Sequence, residues 1–202
     1  MSNKRKWLDV VARRAPRYRH ANLQEKLDRV FSGPVPITAL SFVHEKLQGI
    51  PYAFIGGHAV SVQQGIPRLT SDVDVLVEPQ HLDEVLRRLG GKLTGALSIG
   101  GASVEIDGLT VDVVAPAVGW VGSAVAEADD TKYGKVVSKP YLVISKLWAA
   151  RGEIDDADVL GIIRKMTPED KKKVKKLAET YLSYEDAEDL NQFIDIAEMP
   201  SV

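Results

Sequence analysis

The sequence YAFIGGHAVSVQQGIPRLTSDVDVLV, residues 52–77, is the most informative stretch of the chain. It opens on the short apolar run at residues 52–55, which predicts a strand, and Gly56-Gly57 ends that run. Residues 58–64 predict the first turns of a helix, and a loop containing Gly and Pro follows. Residues 72–77 alternate between acidic and apolar side chains before ending apolar, which predicts a second strand.

Two aspartates lie close together in the second predicted strand. Asp72 and Asp74 are two residues apart, so both side chains point to the same face of the strand. Neighbouring carboxylates repel each other unless one is neutralised or a cation lies between them. Mg²⁺ and Mn²⁺ prefer oxygen ligands and resolve that conflict. The pair therefore predicts a site for a divalent cation.

A glycine pair separates the first predicted strand from the first predicted helix. Gly56 and Gly57 have no side chain, so the backbone there can approach a ligand closely. The N-terminus of a helix presents free N–H groups and the positive end of its dipole, which favours phosphate. This segment therefore predicts a phosphate-binding turn that is followed by a metal-binding pair.

Two aspartates compete for the role of a third carboxylate. Asp107 precedes Gly108 between two β-rich runs, residues 103–106 and 109–114, and Asp-Gly in that position predicts a hairpin turn. The turn explains Asp107. Asp112 lies within the second run among apolar neighbours, where an aspartate is costly unless it has a partner. We therefore predict that Asp112 is the third carboxylate of the site.

Helices are predicted on both sides of these strands. The order of elements predicts an α+β fold with a short mixed sheet flanked by helices, rather than a regular parallel βαβ array. We expect a helical basic N-terminal extension at residues 1–35, a core at 36–138, and a C-terminal helical region at 139–202 that packs on the core. Beyond the elements already described, the sequence predicts helices within 7–30 (interrupted near Pro16), 37–47, 140–151 and 155–164, helices that begin near Pro79, Thr167 and Ser183, and a strand at 133–137.

Composition restricts the kinds of protein and of chemistry. The 202 residues are 45% apolar and 27% charged, which is typical of a globular protein. The chain has no Cys, which excludes thiol catalysis, Cys-ligated zinc and iron–sulfur clusters. No apolar run approaches the roughly 20 residues of a membrane span, so we expect no membrane partner and a cytoplasmic location.

Charge is unevenly distributed along the chain. The net charge is −2, but residues 1–20 hold seven Lys or Arg and one Asp, a charge of +6, so the other 182 residues carry −8. This basic arm either contacts nucleic acid or an acidic partner, or it is a solvated and partly helical terminus. The lysine-rich run at residues 171–176 leaves a similar choice between RNA phosphates and a solvated helix face.

The glycine pair and the aspartates resemble the signature of the polymerase-beta-like nucleotidyltransferase superfamily. Gly56-Gly57, Asp72-Val-Asp74 and Val111-Asp112-Val113 carry this resemblance, although the superfamily often has Gly-Ser at the glycine pair. The pattern G-x-P-R-x-T-x-D-x-D at residues 65–74 is similar to the small bacterial branch that includes AbiEii-type toxins and related nucleotidyltransferases. The strong part of the resemblance covers residues 50–115.

A weaker resemblance covers residues 140–165. The residues KLWAAR at 146–151, followed by Asp155 and Asp158, are similar to a helical region of the same family. We predict that these two aspartates pair with Arg151 across helices rather than bind metal.

The resemblance implies an enzyme that moves an NMP from an NTP to a hydroxyl group of an acceptor and releases pyrophosphate. It implies that Asp72 and Asp74 hold two Mg²⁺ ions, or Mn²⁺, and that Asp112 is on the catalytic metal and helps to deprotonate the acceptor. It also implies that the backbone N–H groups of Gly56 and Gly57 hold the phosphates.

Three further residues are predicted to bind nucleotide: Arg68, Ser71 and Lys146. Arg68 contacts a phosphate or the acceptor, or it pairs with one of the strand aspartates. Ser71, together with Thr70, orients the turn. Lys146 reaches a triphosphate or pairs with an acid. His58 either touches phosphate or is simply a polar residue at the start of a helix.

The sequence alone does not identify the acceptor, the nucleotide or the partner. The superfamily modifies tRNA, proteins and small molecules, and a fold does not choose among them. The NTP is ATP or one of the other three, and the branch resemblance also implies a toxin that a neighbouring antitoxin protein restrains. The alternative from another class is a non-catalytic nucleotidyltransferase-fold module that binds or regulates. A metal-dependent phosphohydrolase ranks third, because the His ligands usual for such enzymes are missing.

Overall fold

The computed structural model describes residues 3–17, 34–149 and 152–199. The chain forms two compact units. The sheet unit is Leu23–Ser138, and the helical unit comprises Met1–Asn22 and Lys139–Val202. The α+β fold class and the mixed sheet expected from the sequence are confirmed.

Short strands and helices follow one another along the described residues. The helices are α1 Asn3–Arg14, α2 Ala39–Leu47, α3 Gly56–Gln64, α4 Leu82–Leu89, α5 Val121–Ala126, α6 Lys139–Ala149, α7 Glu153–Ile163, α8 Pro168–Tyr181 and α9 Tyr184–Glu198, with 3₁₀ turns at Ala15–Arg17 and Pro79–His81. The strands are β1 Ala53–Ile55, β2 Val73–Leu76, β3 Lys92–Ala96, β4 Gly101–Ile106, β5 Leu109–Val114, β6 Asp129–Thr131 and β7 Gly134–Val136.

The described strands form one seven-stranded sheet in the order β3-β4-β5-β2-β1-β7-β6. β2 pairs with β5, and β1 with β7, in parallel, and the other neighbouring pairs are antiparallel. The sheet core lies along β1, β2 and β5, whose β-branched valines suit a pleated, buried surface. Fully buried valines of the two parallel central strands are Val73, Val75, Val111 and Val113.

The register of the central strands places the candidate site residues. Asp74 in β2 lies opposite Asp112 in β5. On its other side, Asp74 lies opposite Ile55, the last residue of β1. Because Gly56 follows Ile55 directly, the start of α3 adjoins the aspartate of β2.

The hairpin predicted at Asp107-Gly108 is confirmed. β4 and β5 pair in antiparallel fashion, beginning at Ile106 opposite Leu109. Asp107 has φ 51° and Gly108 has φ 81°, and positive φ at both positions is what a two-residue type I′ hairpin turn requires. The turn therefore explains why an aspartate stands at residue 107.

The described part of the helical unit consists of α1 and α6 to α9. α9 packs against α1, α6, α7 and α8. The two helix starts predicted at Thr167 and Ser183 are confirmed: Thr167 and Asp170 form a capping box, and the Ser183 hydroxyl accepts a hydrogen bond from the Asp186 N–H.

Arg14 is buried inside the helical unit, with 1% of its surface exposed. Its guanidinium donates hydrogen bonds to Asp156, Asp186 and Asp189 at 2.9, 3.1 and 3.3 Å. Burial alone would lower the pKa of Arg14, but the three aspartates outweigh that effect and raise it. A solvated terminus is therefore wrong for Arg14, although Arg5 in the same helix is exposed.

Several sequence predictions fall on residues that the structure does not describe. They are Arg19 of the basic arm, the apolar stripe Leu23, Leu27, Val30 and Phe31, and the pairing partner Arg151. The boundaries at residues 35 and 138 and the packing of residues 139–202 on the core stay predictions. Among the described residues, each helix is too short or too polar to cross a membrane.

Candidate active site

Three aspartates meet where β2 and β5 run side by side. One carboxylate oxygen from each of Asp72, Asp74 and Asp112, here called the aspartate cluster, lies within 4.8 Å of the others. Asp74 and Asp112 are brought together by the parallel register. Asp72 directly precedes β2, which begins one residue later than predicted, and it joins from the same side. The predicted convergence of the three residues is thus present.

The aspartate cluster is largely withdrawn from water. Asp72 is 5% exposed and Asp112 is 3% exposed, while Asp74 is half-buried. Carboxylates that close together in a poorly solvated place repel strongly unless protons or a cation intervene. The donor set consists of carboxylate oxygens, which are the ligands that Mg²⁺ and Mn²⁺ prefer. The residues present therefore fit such a cation.

Gly56 gives the Asp74 carboxylate its space. A Cβ atom on Gly56 would lie 1.8 Å from Asp74 Oδ2, so any side chain there would overlap the carboxylate. Gly56 also has φ 70°, a conformation that favours glycine. The helix that was predicted to begin at residue 58 begins at Gly56, so the glycine pair forms its first turn.

The first turn of α3 lies beside the aspartate cluster. The N-cap residue is Ile55, whose side chain has no polar atom to accept a bond from the first backbone N–H groups. Arg68 Nη1 would lie 3.6 Å from a Cβ atom on Gly57, which places the guanidinium next to this turn. Because the positive end of the helix dipole and the Arg68 guanidinium lie side by side, this turn suits an anionic group.

The loop at residues 65–71 is fastened to α3 by hydrogen bonds. The Arg68 N–H donates to the Ser61 hydroxyl at 3.0 Å, and that hydroxyl donates to the Gly57 carbonyl at 3.2 Å. The Thr70 hydroxyl donates to Asp72 Oδ1 at 2.7 Å. The sequence placed Thr70 in the G-x-P-R-x-T-x-D-x-D pattern and indicated that it orients the turn, but it contained no signal for Ser61.

His58 is buried in the first turns of α3, with 3% of its surface exposed. Its Nε2 atom has no hydrogen-bond partner within the described ranges. Burial lowers the pKa of His58, and the negative charge of Asp72 partly opposes that shift. The imidazole is thus an electrostatic neighbour of the aspartate cluster.

Lys146 is a buried residue of the helical unit. Its ammonium group forms ion pairs with Asp155 at 2.7 Å and Asp158 at 2.9 Å. The predicted pairing of these aspartates involved Arg151, which lies outside the described residues, whereas the ion pairs observed here are with Lys146.

Ser71 is half-buried directly before Asp72. The nucleotide-binding roles of Lys146, Ser71 and Arg68 stay predictions.

No protein-family model matches this sequence, and no curated protein matches it. Among solved structures, the chain is similar to the proposed nucleotidyltransferase TM1012 from Thermotoga maritima, with 16% identity and a TM-score of 0.44, over 70% of this chain and 94% of that chain. It is also similar to ANT(2'')-Ia in complex with adenylyl-2''-tobramycin, with 19% identity and a TM-score of 0.45, over 78% and 97%.

A further similar structure is JHP933 from Helicobacter pylori, with 11% identity and a TM-score of 0.44, over 80% of this chain and 88% of that chain. The identities of these three structures are below 20% and their TM-scores below 0.5, which is too low to assign the chain a family or an activity.

Proposed function

We propose that this protein is a metal-dependent nucleotidyltransferase of the polymerase-beta-like superfamily, which transfers an NMP from an NTP to a hydroxyl group of an acceptor. The observation that carries the proposal is the convergence of Asp72, Asp74 and Asp112 within 4.8 Å. This convergence occurs beside the uncapped first turn of α3. Phosphoryl transfer mainly requires positioning of the reactants and neutralisation of charge. The aspartate cluster and the first turn of α3 suit these two requirements.

The aspartate cluster is the metal-binding part of the proposed mechanism. Asp72 and Asp74 hold the ions, and Asp112 is a ligand of the catalytic one. When bound, two Mg²⁺ ions supply neutralisation of the triphosphate charge and activation of the acceptor oxygen. Asp112 is the buried member of the strand pair, and its carboxylate is the group that accepts the acceptor proton.

The reaction balances without a protein nucleophile. The acceptor oxygen forms a bond to the α-phosphorus of the NTP, and the bond from that phosphorus to the bridging oxygen of pyrophosphate breaks. The acceptor proton leaves to Asp112, and the products are acceptor–NMP and pyrophosphate. Cys is absent from the chain, and this route needs no thiol.

The phosphate-binding part of the mechanism is the first turn of α3 with Arg68. Backbone N–H groups of Gly56 and Gly57 bind phosphate oxygens, and the Arg68 guanidinium adds positive charge beside them. Ser71 and Lys146 complete the proposed set of nucleotide-binding residues. Gly56 has an additional role, because its missing side chain leaves room for Asp74.

The finer parts of the proposal rest on the motif resemblance at residues 50–115. They are membership of the AbiEii-type branch, use of ATP, and a toxin role with an antitoxin partner. The proposed cytoplasmic location rests on the composition instead. The acceptor belongs to one of three classes: RNA such as tRNA, protein, or a small molecule.

Transfer of label from each of the four α-³²P-NTPs tests the proposal. The full-length protein is incubated with Mg²⁺ and, in turn, total RNA, protein lysate or a small-molecule fraction. We expect one class to become labelled by wild type and none by Asp72→Asn or Asp74→Asn. Asp107→Asn is the matched control, because Asp107 belongs to the hairpin turn, and it should label as wild type does.

Two results would contradict the proposal. Equal labelling by wild type and by both cluster variants would show that the assigned metal site is wrong. Calorimetry that detects neither Mg²⁺ nor NTP binding by the wild type would favour the non-catalytic module instead.

A further inference from the structure

We propose that Thr70 is a positioning residue that orients the Asp72 carboxylate as a metal ligand. This inference rests on the proposed function, because it assigns the aspartate cluster to a divalent cation. Its contact is direct: the Thr70 hydroxyl donates a hydrogen bond of 2.7 Å to Asp72 Oδ1. Carboxylates that bind a metal are in turn hydrogen-bonded by neighbouring groups, which fix the orientation of the ligand.

The backbone of Asp72 lies outside the strand pairing that holds its two partners. Asp74 and Asp112 lie within β2 and β5, and their backbones are held opposite each other by the strand pairing. Asp72 lies one residue before β2, outside that pairing. The orientation of a carboxylate is set by rotation about its side-chain bonds, so side-chain contacts determine where its oxygens point. The Thr70 hydroxyl supplies one such contact to Asp72.

Thr70 is itself held in place from two sides. Its backbone carbonyl accepts a hydrogen bond of 2.7 Å from the Val35 N–H. Its Cβ and Oγ1 atoms would both lie 3.0 Å from a Cβ atom on Gly57, so the side chain packs closely over the first turn of α3. The hydroxyl therefore reaches Asp72 from a fixed position.

The geometry also explains why Gly57 suits its position. A side chain at Gly57 would push Thr70 away, since a contact of 3.0 Å is tighter than ordinary van der Waals contact. The glycine pair thus protects two aspartates: Gly56 leaves room for Asp74, and Gly57 leaves room for the threonine that orients Asp72.

Titration of the full-length protein with Mn²⁺, followed by the electron paramagnetic resonance signal of free Mn²⁺, tests this inference without any assay of activity. Thr70→Val keeps the size and branching of the side chain but removes the donor, whereas Thr70→Ser keeps the donor. We expect Thr70→Val to weaken Mn²⁺ binding by about 10–100-fold, as loss of such a partner typically does, and Thr70→Ser to bind as wild type does.

Each outcome separates this inference from the proposed function. If Thr70→Val binds Mn²⁺ as tightly as wild type while Asp72→Asn does not bind it, the positioning role is wrong and the metal site stands. If Thr70→Ser loses as much affinity as Thr70→Val, packing rather than the hydroxyl matters and the inference is overturned. If wild type binds no Mn²⁺, the metal site fails and this inference fails with it. Unfolding midpoints close to that of wild type show that the variants are folded.

Discussion

The Asp74 carboxylate fills the space that a side chain at residue 56 would need. A Cβ atom on Gly56 would lie 1.8 Å from Asp74 Oδ2 and 2.4 Å from the carboxylate carbon. The cause is the register in which Ile55 lies opposite Asp74, so that the chain turns into α3 directly beside the carboxylate. The glycine at this position therefore protects the geometry of the metal-binding carboxylate as well as that of the turn.

Gly56→Ala should destabilise the protein and abolish Mn²⁺ binding. Its left-handed backbone costs an alanine about 1–2 kcal/mol, and overlap with Asp74 adds roughly 1–3 kcal/mol of overpacking. The displaced carboxylate no longer meets its two partners. Urea unfolding gives the loss of stability, and calorimetric Mn²⁺ titration gives the loss of binding.

Gly65→Ala is the matched control for that experiment. Gly65 has the same φ of 70°, but no heavy atom of the described residues, apart from its chain neighbours and the nearby helix backbone, lies within 4 Å of a Cβ atom placed there. We expect the backbone cost alone, about 1–2 kcal/mol, with Mn²⁺ binding retained. Equal Mn²⁺ affinity in both variants would show that the contact with Asp74 does not matter.

Asp112→Asn should remove the stabilisation that Mg²⁺ gives to the folded protein. A cation that binds only the folded state adds about 2.7 kcal/mol at a concentration of 100 Kd. Without Mg²⁺, the variant should unfold at the same temperature as wild type or higher, because one of three repelling charges is gone. Thermal unfolding with and without Mg²⁺ measures both effects.

Asp107→Asn distinguishes the two aspartates that compete in the sequence for the third position. Asparagine tolerates the positive φ of 51° at this turn, so the fold is preserved. Its Mg²⁺-induced rise in unfolding temperature should equal that of wild type. If Mg²⁺ no longer raises the unfolding temperature of Asp107→Asn but still raises that of Asp112→Asn, the third carboxylate is Asp107 and the assignment is reversed.

The centre of the fold and the aspartate cluster could be predicted because their signals are local. The alternation at residues 72–77 gives β2, and Asp-Gly gives the hairpin that contains Asp112. That β2 and β5 pair in parallel is a non-local fact, and the sequence provides it only through the family resemblance. The contact between the Thr70 hydroxyl and Asp72 also depends on how the loop packs, so the sequence indicated a motif position and a turn role for Thr70 but not this hydrogen bond.

Three elements of the sheet unit were missed for identifiable reasons. β3 is exposed at all five positions and contains Gly95, so no burial alternation marks it. β6 is Asp-Asp-Thr, in which the two Asp residues have low β-propensity, and the strand is held by its backbone pairing with β7. α5 has only six residues, too few to show a helical period.

Lys146→Met should strongly lower the free energy of unfolding of the helical unit. Lys146, Asp155 and Asp158 have side chains that are 3%, 6% and 9% exposed, so loss of the cation leaves two carboxylates in a poorly solvated place. Breaking a buried ion pair in this way costs about 3–5 kcal/mol. Urea unfolding measures the cost, and calorimetry with NTP under folding conditions tests the predicted nucleotide contact separately.

Lys171→Met is the control within the same unit. Lys171 pairs with Glu198, whose side chain is 55% exposed, and such surface pairs contribute about 0–1 kcal/mol. A similar loss of stability in both lysine variants would show that burial of the ion pairs of Lys146 does not cause the loss in Lys146→Met.

Arg14→Met should cost far more stability than Arg13→Met, although the two residues are neighbours in α1. Arg14 is 1% exposed and binds three aspartates, so its loss leaves buried negative charge and costs about 3–5 kcal/mol. The Arg13 side chain is 47% exposed, and its loss leaves Asp189 paired with Arg14, so we expect a cost of about 0–1 kcal/mol.

Salt should separate the same two arginines by a second measure. Ions screen exposed pairs strongly and buried pairs weakly, so the Arg13 contribution should vanish in concentrated NaCl while that of Arg14 persists. The free energies of unfolding of both variants at low and high NaCl give the comparison. The sequence alone does not distinguish the two arginines, because the aspartates that pair with Arg14 lie 142 to 175 residues away along the chain. Equal costs for both variants would mean that Arg14 is as solvated as the composition of the basic arm suggested.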